Sequence, residues 1–179
     1  TYVRFKPDAK IFTETTEFDY DTLEKRMREQ AFLNAGLSIS LTDSRDPEQV
    51  KSNVFHYEGG LSSFVEYMNK VRGCTPLHPD VIHLALSDGD SMAEVALQYN
   101  DSYNENILSF ANNMHTVDGG THEQAFKNAL QRILNNYARQ YKLLKDNDSN
   151  LKGDDVREGL TAVVSVKLTD AQFESQTKA

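Results

Sequence analysis

From Thr121 to about Leu144 the apolar residues recur at helical spacing, with Phe126, Leu130, Ile133, Leu134, Tyr137, Tyr141 and Leu144 on one face. Thr121, followed by Gln124 three residues on, reads as a capping box. A helix of that length spans ~35 Å. It would dominate the fold, and an apolar face that long needs something to bury it.

The segments around it alternate between the two periodicities. Asp21 to Asn34 reads as a helix, with Asp21 as its cap, Glu24 completing a box, and Leu23, Met27, Ala31 and Phe32 as the buried stripe. Gly59-Gly60 opens another, with Leu61, Phe64, Val65 and Met68 at helical spacing and an end near Arg72-Gly73. Strand patterns run over Thr1 to Lys6, Leu37 to Asp43, Val54 to Tyr57, Val81 to Leu86, Met92 to Tyr99, Ile107 to Asn112 and Leu160 to Leu168. Asp88-Gly89 between two apolar runs marks a hairpin. Val163, Val164 and Val166 make the last run β-branched and apolar, which suits a central strand. Lys145 to Asp155 and Thr169 to Ala179 are polar and read as loops. The expected fold class is α+β, in one domain, with about seven strands and three helices.

Charge limits the function. Nineteen basic against 27 acidic residues give a net charge of −8, the opposite of a free-standing DNA-binding domain. Any contact with DNA must come from a local basic patch. Cys74 is the only cysteine, so no internal disulfide forms, which fits a reducing cytoplasm. No apolar run is long enough to span a bilayer. The start, Thr1-Tyr2-Val3-Arg4-Phe5, is neither a signal peptide nor a natural start, so the chain reads as a piece of a longer one.

Chemistry is sparse. There is no P-loop and no dinucleotide fingerprint. Gly59-Gly60 and Gly119-Gly120 each precede a helix, where backbone N–H groups could hold an anion or the glycines could simply permit the turn. His56, His78, His83, His115 and His122 lack metal-ligand spacing, and no metal site is expected. Asp154, Asp155 and Glu158 suit the acidic first turn of a helix better than a cation site.

Seven short stretches stand in one order along nearly the whole chain. They are Arg28-Glu29-Gln30-Ala31-Phe32-Leu33-Asn34 with Gly36 following, His56-Tyr57-Glu58-Gly59-Gly60, Gln98-Tyr99-Asn100, Phe110-Ala111-Asn112-Asn113, Asp118-Gly119-Gly120-Thr121-His122-Glu123, Gly153-Asp154-Asp155-Val156-Arg157-Glu158-Gly159-Leu160-Thr161-Ala162, and Gln176-Thr177-Lys178. Together they resemble the ATPase subunits of bacterial type IIA topoisomerases, the B subunits of DNA gyrase and topoisomerase IV. The Phe-Leu-Asn-x-Gly and His-Tyr-Glu-Gly-Gly forms look more like gyrase.

The resemblance implies a ribosomal-protein-like transducer fold: a mixed β-sheet, one long helix and a left-handed βαβ crossover, against the usual right-handed rule. Residues 1–12 would be the tail strand of a GHKL ATP-binding domain, and residues 13–179 the transducer. Its role would be to couple ATP binding and hydrolysis to DNA strand passage and negative supercoiling, or to decatenation in a topoisomerase IV. Gln176 and Lys178 would reach the ATP site of the preceding domain, with Lys178 on the γ-phosphate, where an ammonium stabilises the phosphoryl being transferred. Lys127 matches a basic position lining a DNA cavity in relatives, and Arg26, Arg28, Arg132 and Arg139 are further DNA-facing candidates. Glu58 and Arg157 receive no catalytic role. The resemblance also implies ATP with magnesium in the full-length protein. The partners it implies are double-stranded DNA, the gyrase A protein and a second copy of the B protein, in the cytoplasm. By itself this piece is expected to be inactive and to hold no cofactor.

Overall fold

The computed structural model describes residues 1–145 and 147–173. Its elements run α1 (Tyr20–Leu33), β1 (Ser38–Asp43), β2 (Lys51–His56), α2 (Gly60–Arg72), β3 (Ile82–Asp88), β4 (Ser91–Tyr99), β5 (Asn106–Ala111), β6 (Met114–His115), α3 (Thr121–Gln140), α4 (Gly153–Arg157) and β7 (Leu160–Lys167). β1 and β2 form a separate antiparallel hairpin, and the other strands make one sheet in the order β3-β4-β7-β5-β6.

β7 is central, as its β-branched run predicts. It pairs antiparallel with β4 and parallel with β5. A parallel pair needs a crossover, and α3 and α4 supply it between β5 and β7. The two-residue β3–β4 loop matches the Asp-Gly signal, with Asp88 opposite Ser91 and Gly89 at φ 57°.

Strand alternation sorts the sheet into two faces. Ala96, Phe110 and Val163 point to α1 and α2, where they meet Phe32, Leu61, Phe64, Val65 and Met68. Leu97, Leu160 and Ala162 point the other way, toward Phe126 and Leu130 of α3. On the first face a buried polar network is also completed. Asn69 of α2 donates to Gln98 Oε1 at 2.9 Å, and Asn100 donates to Asn69 and to Thr161. Gln98 in turn holds the carbonyl of His78. The Gln98-Tyr99-Asn100 motif is thus a structural lock between α2, β4 and the loop before β3. Gly159 belongs to the same corner: at φ 71° an added Cβ would sit 2.5 Å from the Asn100 carbonyl oxygen.

Several expectations are corrected. Thr1–Lys6 is not a strand. Val3 and Phe5 are exposed, Phe5 meets only the edge of the Phe18 ring among the described ring contacts, and residues 1–6 join no ladder among the described residues, so the alternation has no sheet to serve. α1 is capped by Asp19, whose carboxylate accepts from Thr22 N–H at 2.8 Å, rather than by Asp21 with Glu24. Glu24 pairs with Arg28 instead. α3 is capped by Gly120 with no side-chain bond, and Gln124 reaches forward to Asn128, so the Thr121–Gln124 box does not form. The helix stops at Gln140, where Lys142 turns to φ 56° and the amides of Lys142 and Leu143 close on Arg139 and Ala138. Ile133, Tyr137 and Tyr141 are exposed rather than buried. The short helix α4 falls at the end of a segment read as loop, and β6 is an unforeseen pair of residues.

Candidate functional site

The features with functional promise gather where β5, β6, β7 and the start of α3 meet. The β5–β6 turn is Asn112-Asn113, with φ of 49° and 62°. Left-handed backbone at two successive positions suits asparagine, which tolerates it better than most residues. Asn112 lies beside the end of β7: its N–H donates to the Val166 carbonyl at 2.8 Å. Asn113 faces α1, accepting from Gln30 Nε2 on its carbonyl and donating to Asn34 Oδ1. The Phe-Ala-Asn-Asn and Arg-Glu-Gln-Ala-Phe-Leu-Asn stretches, distant in sequence, therefore meet.

Beyond the turn, Thr116 bonds back to Ser109 of β5, their hydroxyls 2.7 Å apart. Ser109 donates to Glu123 in the first turn of α3 at 2.6 Å. Lys127, one turn further, sits 2.8 Å from Glu123 and 3.1 Å from Glu105. Arg157 of α4 bonds Glu105 as well, and also Asp154. Two cations thus face three carboxylates in one strap across α3, α4 and the β4–β5 loop. Burial pushes the carboxyls of Glu123 and Glu105 up, but the bonds to their cationic partners outweigh it and hold both below the usual range. Burial likewise works against the charge on Lys127, and the same carboxylates overcome it and raise its pKa. Burial lowers His122, which faces Thr116 at 3.3 Å.

Beside this junction lies a cleft of about 610 Å³, lined by Thr116, Gly120, His122, Val166, Leu168 and Phe173 among others. Its one hydroxyl–imidazole pair, Thr116 and His122, is tied into the turn, since the Thr116 hydroxyl donates to the Ser109 carbonyl at 2.9 Å. Among the described residues no cluster of His, Cys, Asp or Glu is suited to hold a metal ion. No helix of the described residues is long and apolar enough to cross a membrane.

The sequence-predicted site residues divide. Gln176 and Lys178 lie outside the described residues. Lys127 has a side chain only 19% exposed and doubly ion-paired. Arg26 pairs with Glu29. Arg28 donates to Tyr67 Oη and lies over the rings of Phe55 and Tyr67. Arg139 holds Asn150 and the carbonyls of Lys145 and Asp148. Arg132 is exposed and has no ion-pair partner among the described residues. Arg26 and Arg28 lie on α1, and Lys127, Arg132 and Arg139 on α3. Glu123 and Glu105 were missed as the partners of Lys127. The Glu123–Lys127 spacing of four on one helix was a legible signal for the first, but no local spacing announces Glu105.

Both the sequence and the fold are similar to known proteins. The family model described as DNA gyrase B matches residues 60–179. A DNA gyrase B protein from Clostridium acetobutylicum is 57% identical over 99% of the chain, and one from Halalkalibacterium halodurans is 56% identical over the same share. The chain spans 27% of the length of each. Among solved structures, the 43K ATPase domain of Thermus thermophilus gyrase B, in complex with an aminocoumarin, is 40% identical with a TM-score of 0.78, over 95% of this chain and 45% of that one. The topoisomerase IV ATP-binding domain of Francisella tularensis shares the fold, with a TM-score of 0.72 at 22% identity over 94% of this chain and 44% of that one. With the family model matching residues 60–179 and these relatives matching 99% of its length, the chain belongs to the DNA gyrase B family.

Proposed function

We propose that residues 13–179 are the transducer domain of the ATPase component of a type IIA topoisomerase, and that residues 1–12 lead in from a GHKL ATP-binding domain, in which Thr1–Lys6 would find ladder partners. The observation behind this reading is the match to the gyrase B ATPase-domain structure. Nearly all of this chain is used, against 45% of that one. The remainder of such a chain has room for a nucleotide-binding domain. The parallel β5–β7 crossover through α3 and α4 supports the transducer fold, with left-handed connection as the finer proposal.

On this reading the full-length protein hydrolyses ATP with magnesium, and the transducer passes the nucleotide state to the DNA-cleaving part of the assembly. Gln176 and Lys178 extend into the ATP site of the preceding domain. The Lys178 ammonium stabilises charge on the γ-phosphoryl as it transfers and senses its departure. Partners are the gyrase A protein, a second copy of the B protein and duplex DNA, in the cytoplasm. Negative supercoiling is favoured over decatenation because the gyrase B relatives reach 57% identity. A stand-alone nucleic-acid-binding module fits poorly with a net charge of −8. As a DNA-facing residue, Lys127 would have to exchange Glu105 and Glu123 for phosphate, so its pairing weighs toward a structural role.

ATP hydrolysis by the full-length protein, with and without Lys178→Ala, tests the reading. Loss of hydrolysis with nucleotide binding largely kept is the expected result. Unchanged hydrolysis would make Lys178 a bystander.

A further inference from the structure

Between the first half of α1 and the second half of α2 the packed side of the sheet opens to the surface. The opening is a cavity of about 470 Å³, a volume typical of small-molecule sites. Its floor is apolar. Phe64 and Met68 of α2 belong to the core cluster, and Leu108 of β5 packs against it. Val71, 66% exposed, carries the apolar wall out to the rim. Arg28 of α1 bonds Tyr67 of α2, and Phe32 stacks on Phe64, so the two helices run antiparallel. That direction sets Lys25 level with the Val71–Arg72 end of α2.

The charges around this opening are not matched. Two of its carboxylates are taken, Glu24 by Arg28 and Glu29 by Arg26. Lys25 and Arg72 also line it, and neither forms an ion pair among the described residues. Asp21 is the one lining acid in the same condition. The side-chain amide of Asn106, where β5 begins, makes no hydrogen bond among the described residues. The helix dipole favours Arg72 in the last turn of α2, but it gives no reason for Lys25 on the facing helix. From Phe64 to Arg72 the helix runs ~12 Å, the length of two fused rings or a short acyl chain with its charge at the Arg72 end.

We propose that this cavity binds a small amphipathic carboxylate, with its apolar body on Phe64, Met68 and Leu108 and its charge between Lys25 and Arg72. The physical logic is that of most small-molecule sites: an apolar floor supplies the burial, and a few converging polar groups fix the orientation. The Arg72 guanidinium matches a carboxylate in plane, Lys25 adds a point charge, and the Asn106 amide offers both a donor and an acceptor.

The test titrates naphthoate into the full-length protein and follows the methyl groups of Met, Leu and Val by NMR. Saturable shifts are expected at Met68, Val71 and Leu108, with a Kd on the order of 1 mM. Naphthylmethanol, the same body without the charge, should bind about fivefold more weakly. Lys25→Gln together with Arg72→Gln should weaken naphthoate to that level. Both positions are exposed, so the fold should be kept. Arg132→Gln is the control: it removes an exposed cation from α3 and should leave the Kd unchanged. Absence of saturable shifts overturns the site, and so do shifts centred instead on the exposed Leu84 and Leu86 of β3. Equal binding of the acid and the alcohol overturns the carboxylate preference. Equal loss in Arg132→Gln overturns it as well, because general attraction of anions would then suffice.

Discussion

The two faces of the sheet are held by different physics. Against α1 and α2, Phe32 stacks between Tyr57 at 3.7 Å and Phe64 at 4.6 Å, and Phe64 reaches Phe110. Phe32, Val65, Ala96, Phe110 and Val163 are at most 1% exposed. Against α3, Leu97, Leu160 and Ala162 are also buried, but the helix brings only Phe126 and Leu130 to them. Ile133, Tyr137 and Tyr141 remain in solvent, as do Ile82, Leu84 and Leu86 of the edge strand β3. By register those β3 residues sit opposite Leu97, Val95 and Ala93, on the α3 side of the sheet. At its start α3 is secured by the Glu123–Lys127–Glu105–Arg157 strap. A face filled with stacked rings holds mainly by dispersion and burial. A face with one sparsely packed helix relies on charges at the helix end.

That contrast can be broken from the packed side first. Phe32→Ala should cost about 3–5 kcal/mol, the range for emptying a rigid aromatic site, read as a drop in the urea midpoint of the chain. A loss under about 1 kcal/mol would mean that the ring stack does not anchor this face.

Acid should loosen the other face before this one. Glu105 and Glu123 titrate in the folded chain below their ordinary value of 4.5. A depressed folded pKa gives stability that is present above 4.5 and lost as pH falls through the lowered values. His122 has the same sign: held below its ordinary 6.5, it resists the protonation that acid imposes. Solvent screening keeps the effect on the order of 1 kcal/mol or less. Amide exchange in α3 should accelerate below pH 4.5 while α2 stays protected, and Glu123→Gln should flatten that response. Parallel loss in both helices would show that the strap does not govern α3 separately.

The smallest effect belongs to the exposed stripe. Ile133→Ser should alter the stability of this chain by no more than about 0.5 kcal/mol, because its side chain is 59% exposed. A loss of about 2 kcal/mol in thermal or urea unfolding would place Ile133 in the core and remove the asymmetry.

Much of the architecture was legible. Val163, Val164 and Val166 marked the central strand, Asp88-Gly89 the hairpin, and Leu61 to Met68 the face of α2. These are local signals of periodicity and turn chemistry. The caps were less legible, because Asp19 and Asp21, or Gly120 and Thr121, are chemically adequate neighbours and only the approach of the preceding chain selects between them. The face of α3 was misread in its second half for a related reason. Periodicity shows that Ile133, Tyr137 and Tyr141 share a side, but it does not say whether anything lies opposite. At the candidate site, Lys127 could be found but not its setting. Its partner Glu105 lies 22 residues away, and no spacing rule connects them.

By itself the sequence determined the type of most of the longer elements, the central strand and the family, since each depends on the order and kind of residues along the chain. Only the tertiary structure decided which charges neutralise each other, that Asn112 reaches Leu168 across 56 residues, and that one sheet face is filled while the other is left partly bare. Those outcomes depend on distances between segments remote in sequence, and a Coulomb pair, a hydrogen bond or a packed ring exists only at contact range.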